Sequence, residues 1–257
     1  MTQTSLATAA ELDKLAARGW PATDTHEIDG WVIRSASGVT RRANSVLTAG
    51  EVKDADAAID SVESFYRERG LPVMFQISDA TSPPDLTDRL AARGYHREGE
   101  TLTQVAVLTD VAAALSSIPS EALAQVSITD EPDAEWMTMW WSVDGRGTTT
   151  DLATARSIMT GAPALYATIL DETGVSAGGR LALLDEWGAL FSLVVRPNAR
   201  RQGLATRVLA ALVAAAEPQG VTKLCLQVLA TSHGALAFYE SLGFVTASHY
   251  RYWVKAG

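Results

Sequence analysis

At 257 residues, 47% hydrophobic and 20% charged, the chain has the make-up of a globular protein with room for one large domain or two small ones. Its formal net charge of -9 argues against a general binder of nucleic-acid backbone or of anionic membrane, so any anionic ligand must be met locally. The single cysteine, Cys225, excludes an internal disulfide, and four histidines without zinc-ligand spacing predict no metal site. With no basic-then-apolar leader and no apolar run of about eighteen residues, the chain reads as cytoplasmic and without a membrane span.

In chain order, Leu12 and Leu15 at helical spacing predict a short opening helix over 11–18. Trp31-Val32-Ile33-Arg34 and Ala43-Asn44-Ser45-Val46-Leu47 read as two strands of a hairpin around Ser37-Gly38-Val39-Thr40. Residues 54–69 gather Ala57, Ile59, Val62, Phe65 and Tyr66 near one helical face, and Gly70 with Pro72 stops them. A strand over 73–77 follows, then a loop with Pro83-Pro84, a helix over 85–93, and Gly94-Tyr95 leading to a strand near 103–108.

Residues 115–124, rich in Ala and Ser, read as a link, with a helix as the alternative. Beyond it, Ala189 to Val195 is a near-continuous apolar run of strand length, the pattern of a strand buried on both faces. An alanine- and leucine-rich helix over 204–216 ends at Pro218-Gln219-Gly220. A strand over 223–228 and a helix over 234–241 come next.

The second series repeats the first. Phe75-Gln76-Ile77 matches Leu226-Gln227-Val228, and Arg93-Gly94-Tyr95 matches Leu242-Gly243-Phe244 at a nearly equal offset. Duplicated α/β halves are expected, over 1–115 and 125–257. Two unrelated segments sharing ordinary punctuation are the alternative.

The chemistry concentrates after Val195. Pro197 cannot donate to a sheet ladder, so the strand is expected to stop or splay there. Arg200, Arg201, Gln202 and Gly203 then open a helix, whose N-terminus carries partial positive charge and free N–H donors. Gly203 and the small Ala205 allow close backbone approach, while Arg196, Arg200, Arg201 and Arg207 concentrate positive charge in an acidic chain. Taken singly, these arginines equally describe a solvated helix start.

Val195-Arg196-Pro197, Arg200-Arg201-Gln202-Gly203-Leu204-Ala205 and Ala235-Leu236-Ala237-Phe238-Tyr239-Glu240-Ser241-Leu242-Gly243-Phe244 together resemble the GNAT superfamily of N-acetyltransferases over about 188–245. The resemblance implies a mixed, mostly antiparallel α/β sheet flanked by helices, with a splayed parallel strand pair and acetyl-CoA wedged between those strands. It implies that Leu193, Val194 and Val195 meet the pantetheine arm, and that Arg200, Arg201, Gln202, Gly203, Leu204, Ala205 and Thr206 cradle the pyrophosphate. Tyr239 takes the position of the proton donor to the departing thiolate; a packed core aromatic is the alternative. Gln227 stands where relatives acting on protein N-termini carry a glutamate, and cannot serve as a base. Ser232 replaces the asparagine before the last helix, where it can cap that helix and line the cofactor site.

For the general base the candidates are weak: Asp185 and Glu186 at a hairpin tip, mid-strand Ser192, and His233. Direct attack by a neutral amine needs none. Cys225 reads as a buried small side chain. By the same resemblance the acceptor is met by 132–159, where Glu135, Trp140, Trp141 and Asp144 offer an aromatic cleft with carboxylates for a cationic amine, although Trp136 and Trp140 can equally pack a helix onto the sheet. Between its strand at 43–47 and its helix from Asp54 the N-terminal half lacks the V-x-P exit and the arginine pair, and it reads as a tandem partner that has lost its cofactor site. The expected activity is acetylation of a small-molecule amine; a protein lysine or N-terminal acetyltransferase and a non-catalytic acyl-CoA-binding module are the alternatives.

Overall fold

The computed structural model describes residues 6–145 and 147–255. Its strands are β1 (Asp24–Ile28), β2 (Trp31–Ser35), β3 (Val46–Leu47), β4 (Val73–Ser78), β5 (His96–Val107), β6 (Ser127–Thr129), β7 (Ala164–Asp171), β8 (Gly174–Leu184), β9 (Trp187–Val195), β10 (Lys223–Leu229) and β11 (Val245–Lys255). Its α-helices are α1 (Ala9–Gly19), α2 (Ala55–Glu68), α3 (Leu86–Ala92), α4 (Leu108–Ala114), α5 (Ser120–Leu123), α6 (Ala134–Asp144), α7 (Thr149–Thr160), α8 (Leu204–Ala216) and α9 (His233–Ser241). No helix among the described residues is long and apolar enough to cross a membrane.

All the strands join one sheet, in the order β1-β2-β3-β4-β11-β5-β10-β9-β8-β7-β6. Neighbours are antiparallel except β3–β4 and β9–β10, and each of these parallel pairs is bridged by a helix, α2 and α8. The order reads alike from both sides of the central β11–β5 pair: β4 and β10 flank it, β3 and β9 come next, then β2 and β8. The fold is thus a mixed, mostly antiparallel sheet built of repeated halves, as the repeat in the sequence predicts.

One feature has no local signature. The last strand of each half is exchanged: β5 pairs with β10, and β11, at the end of the chain, pairs with β4. β5 and β11 also pair with each other over most of their length, which stitches the halves along the middle of the sheet.

Helix α1 crosses the same divide. A reciprocal capping box between Thr8 and Glu11 starts it, and Leu12 and Leu15 bury against the C-terminal half with Trp136, Trp140 and Phe191. On the opposite face, Val208, Leu209 and Leu212 of α8 pack onto Leu181, Leu190 and Leu224, each such side chain contributing about 1.5–3 kcal/mol by burial. Gly179 lets α8 lie close, since a Cβ there would come within 2.8 Å of Val208 Cγ1. Helices α2 and α3 cover the N-terminal strands through Ile59, Val62, Tyr66, Leu86 and Leu90.

Several boundaries differ from expectation. The second arm of the predicted 31–34/43–47 hairpin shrinks to the two residues of β3, and the outer strand β1 went unpredicted because its side chains are almost all exposed. β5 reaches back to His96 through polar residues whose order comes from pairing with β11, a contact that no local pattern reports. The 115–124 link holds the short helix α5.

Candidate active site

β9 and β10 run in parallel register from Trp187 opposite Lys223 only as far as Leu190 opposite Leu226. On its other side β9 stays paired with β8 out to Val195 opposite Ala177, and β10 stays paired with β5 out to Leu229 opposite Thr101. The cause of the parting is a bulge: Gly178 faces Val194 and Arg180 faces Phe191, so Ser192 and Leu193 both crowd opposite Gly179. Ser192 takes φ 54°, a left-handed conformation that costs a non-glycine residue about 1–2 kcal/mol. Beyond Phe191 the β10-facing backbone groups of β9 therefore have no strand partner. A cleft of about 300 Å³ opens there, walled by residues 190–194 and 226–229 and by Ser232 and Tyr239. The splay starts at the Ser192 bulge, ahead of Pro197, where the sequence suggested it; Pro197 instead begins a single 3-10 turn, Pro197–Ala199.

The turn delivers the chain to the start of α8. Arg201 has φ 64° and Gly203 φ 73°, so two left-handed residues fold the loop back. Such a conformation turns successive N–H groups toward one concavity. Gly203 caps α8 without a side-chain acceptor, which leaves first-turn N–H groups and the positive end of the helix open. Arg201 and Gln202 are exposed beside it, and Arg200 Nε donates to the Val195 carbonyl at 3.2 Å. Arg196 and Arg207 do not join them. Arg196 pairs with Asp171 at 2.5 Å, and the Thr173 hydroxyl together with this guanidinium holds the Asp171 carboxyl down at about 2. Arg207 donates to the Ala122 carbonyl and to Gln125 Oε1. The Leu204 side chain is buried in the core, leaving only its backbone at the site.

The matching helix start in the N-terminal half is filled. Asp54 caps α2 by accepting from Asp56 N at 3.0 Å and Ala57 N at 3.1 Å, so a carboxylate occupies the place that α8 leaves open.

Tyr239 reaches the cleft from α9, its ring against Phe238 and Phe244. Burial pushes its phenol up to about 12, so it holds its proton across the neutral range, and no hydrogen-bond partner lies near the hydroxyl among the described residues. Gln227 also lines the cleft, with its Oε1 at 3.5 Å from the Tyr250 hydroxyl. Ser232 precedes α9 but its side chain makes no capping bond, contrary to expectation, and it faces the cleft instead. Asp185 pairs with Arg18 and Glu186 with Lys223 at the far end of β9, which removes both as bases. Cys225 is buried, and burial pushes its thiol up to about 12.

The family model described as "Probable histone acetyltransferase Rv0428c C-terminal" matches residues 7–253, nearly the whole chain. The chain belongs to this family of GNAT N-acetyltransferases. The uncharacterized N-acetyltransferase YobR of Bacillus subtilis is 28% identical over 246 residues, 95% of this chain and 98% of YobR. Among solved structures, a GCN5-related N-acetyltransferase from Kribbella flavida superposes with TM-score 0.69 at 16% identity, covering 98% of this chain and 97% of that one. A tandem GNAT protein of the clavulanic acid biosynthesis pathway superposes with TM-score 0.66 at 13% identity, covering 99% and 90%. These two likenesses are of fold.

In this GNAT enzyme the acceptor-side expectations divide along α6. Glu135 and Asp144 stand nine positions apart. At 3.6 residues per turn that is about two and a half turns, so they lie on opposite faces. Glu135 accordingly lines a separate hollow with Thr138 and Arg196, away from the cleft. Asp144, Trp140 and Trp141 line a second pocket of about 280 Å³, and Asp144 borders the cleft as well. Trp140 is 2% exposed, a wall held by Trp20 and Trp136 rather than an open platform.

The rest of that pocket comes from residues that sequence reasoning missed: Trp20 after α1, and the 38–42 turn, including Thr40 and Arg42. Arg42 joins the two spaces, lining both. Its only sequence signal is its place in the Arg41-Arg42 pair, which does not reveal that the segment folds over the other half.

Proposed function

We propose that this enzyme transfers the acetyl group of acetyl-CoA to the primary amine of a small molecule by direct attack in a ternary complex. The carrying observation is a cleft between β9 and β10 that shares Arg42 and Asp144 with a tryptophan-walled pocket, on the strand that leads to the open start of α8. The donor set fits the cofactor. The β10-facing side of the backbone at Leu193, Val194 and Val195, which has no strand partner there, suits the amides of the pantetheine arm as a strand edge would. The N–H groups from Arg200, Arg201, Gln202 and Gly203 into Leu204, Ala205 and Thr206, with the Arg201 charge, suit a pyrophosphate. Ser232 lines the same cleft as Tyr239 and would flank the arm there.

When bound, acetyl-CoA supplies the thioester. Tyr239 offers its O–H to the sulfur that leaves, a neutral donor because its proton is held so firmly. Gln227 positions by hydrogen bonding and takes no proton. The amine attacks the thioester carbon in its neutral form as the C–S bond breaks, and the proton it then sheds passes to solvent, from which Tyr239 is reprotonated.

We read the chain as dividing into 1–115 and 125–257 with a split of labour. The second half holds the cofactor, while the first, with Asp54 occupying its own helix start, has lost its site and closes the acceptor side. The family description, which names a probable histone acetyltransferase, favours a second reading, acetylation of a protein at a lysine or its N-terminus. Release of free thiol from acetyl-CoA with a panel of small amines and lysine peptides separates the readings. Turnover with small amines supports the proposal, turnover with peptides alone supports the second, and tight CoA binding without any turnover supports a binding module.

A further inference from the structure

The pocket beside the cleft contains charges that the fold itself leaves uncommitted. Arg42 is partly buried, with its guanidinium 5.4 Å from the Trp20 ring centroid and 5.7 Å from that of Phe191. Trp20 is locked in that pose by its Nε1, which donates to Thr40 Oγ1 at 3.0 Å. Among the described residues Arg42 has no carboxylate or hydrogen-bond partner, whereas its neighbour Arg41 is tied to Glu98 at 2.6 Å. Asp144, which lines the same two spaces, is likewise unpaired among the described residues.

Beneath the pocket a second guanidinium adds positive potential. Arg180 is fully buried, 5.8 Å from the Trp20 centroid and 5.5 Å from that of Phe191, and its Nη1 donates to the Gly19 carbonyl. Among the described residues its Nη2 has no hydrogen-bond partner, and neither has the buried Nε1 of Trp140 in the pocket wall. Arg180 does not line the pocket and acts on it only through its charge, which a low-dielectric surround screens little. With Arg41 neutralised by Glu98, the local balance of Arg42, Arg180 and Asp144 is one net positive charge in a protein of net charge -9.

We propose that the acceptor is a small amino acid, its carboxylate held by Arg42 and its amine turned past Asp144 into the cleft. This rests on the small-molecule reading above and narrows it. The attacking form of an amino acid, with a neutral amine and an ionised carboxylate, carries one negative charge, the complement of the pocket. A guanidinium pinned on aromatic faces presents its remaining N–H edge as a fork, the geometry that takes a carboxylate bidentately. Arg42 is thus a specificity residue. An amine lacking the carboxylate, or a protein N-terminus whose α-carboxyl is an amide, leaves it unanswered.

The test pairs each free amino acid with its carboxamide, using wild-type enzyme and acetyl-CoA and following thiol release. The amino acid is expected to exceed its carboxamide in kcat/KM by about 10- to 100-fold, the span of one desolvated charge-assisted pair. In Arg42→Gln that ratio is expected to fall to within about threefold of unity. Arg42→Lys keeps the charge without the fork and is expected to fall between, which guards against a folding defect in the first variant. Equal use of acids and amides by the wild type, or a ratio preserved in both variants, overturns the assignment of Arg42 while leaving acetyl transfer to small amines standing. Absence of turnover with every small amine overturns both.

Discussion

Replacing Tyr239 by Phe isolates one hydroxyl. The phenol donates to no group among the described residues, and the ring contacts to Phe238 and Phe244, 5.2 and 5.6 Å between centroids, survive in phenylalanine. Folding stability should therefore move by no more than about 0.5 kcal/mol. The rate should respond far more. General-acid groups contribute about 10²- to 10⁴-fold, but a phenol at about 12 gives its proton uphill to a thiolate whose thiol titrates near about 8.5. That mismatch of roughly three and a half units puts Tyr239 at the low end, a loss of about 10²-fold in kcat, or about 2.7 kcal/mol. KM for acetyl-CoA should stay within about twofold, because the hydroxyl acts on charge that develops only as the thiol leaves. In the wild type, no alkaline fall in kcat should come from this group below about pH 11, since it holds its proton. Steady-state thiol release across pH, with thermal melts of both proteins, reads all of this. A kcat within twofold of the wild type, or a rate loss accompanied by a large drop in Tm, would refute the assignment.

Other perturbations report on separate parts of the molecule. Gly203→Glu should abolish acetyl-CoA binding in calorimetry, because a side chain at φ 73° is strained and its carboxylate sits at the open helix start; undiminished affinity would move the pyrophosphate elsewhere. Cys225 should resist thiol reagents in the native protein and react only on unfolding, so that thiol release in the assay comes from CoA alone. Asp13, buried beside Ser78, Gln76 and Arg34, has its carboxyl raised chiefly by burial, so its folded form favours the proton and the wild type should lose stability as pH rises from about 3.9 through that raised value. Asp13→Asn should flatten that stretch of the stability-against-pH curve in denaturant titrations; an unchanged slope would assign it to other groups. Gly179→Val should cost about 1–3 kcal/mol by pushing α8 away at Val208, visible as a lower Tm.

What the chain declares by itself is what local chemistry can write. The apolar run of β9, the helical faces of α2 and α8, the Pro197 exit and the Arg-Arg-Gln-Gly loop are all patterns over a few neighbouring residues. They sufficed for the repeat and the place of the helix start, and the mixed sheet followed only from the resemblance that these motifs carry. Tertiary structure decided the rest. No short-range signal tells β5 and β11 to exchange halves, because the choice of partner is made by residues of the other half and is written in neither segment. Arg196 and Arg207 look like ligands in sequence, yet Asp171 and Ala122 claim them, since a guanidinium's role is set by whichever acceptor the fold brings near. Conversely Arg42, unremarked in the chain, becomes a charge shared by the cleft and the tryptophan-walled pocket only because α1 and the turn after β2 fold across onto β9. Local periodicity determines what each segment is, whereas long-range pairing and the neutralisation of charge determine which segments meet to make the site.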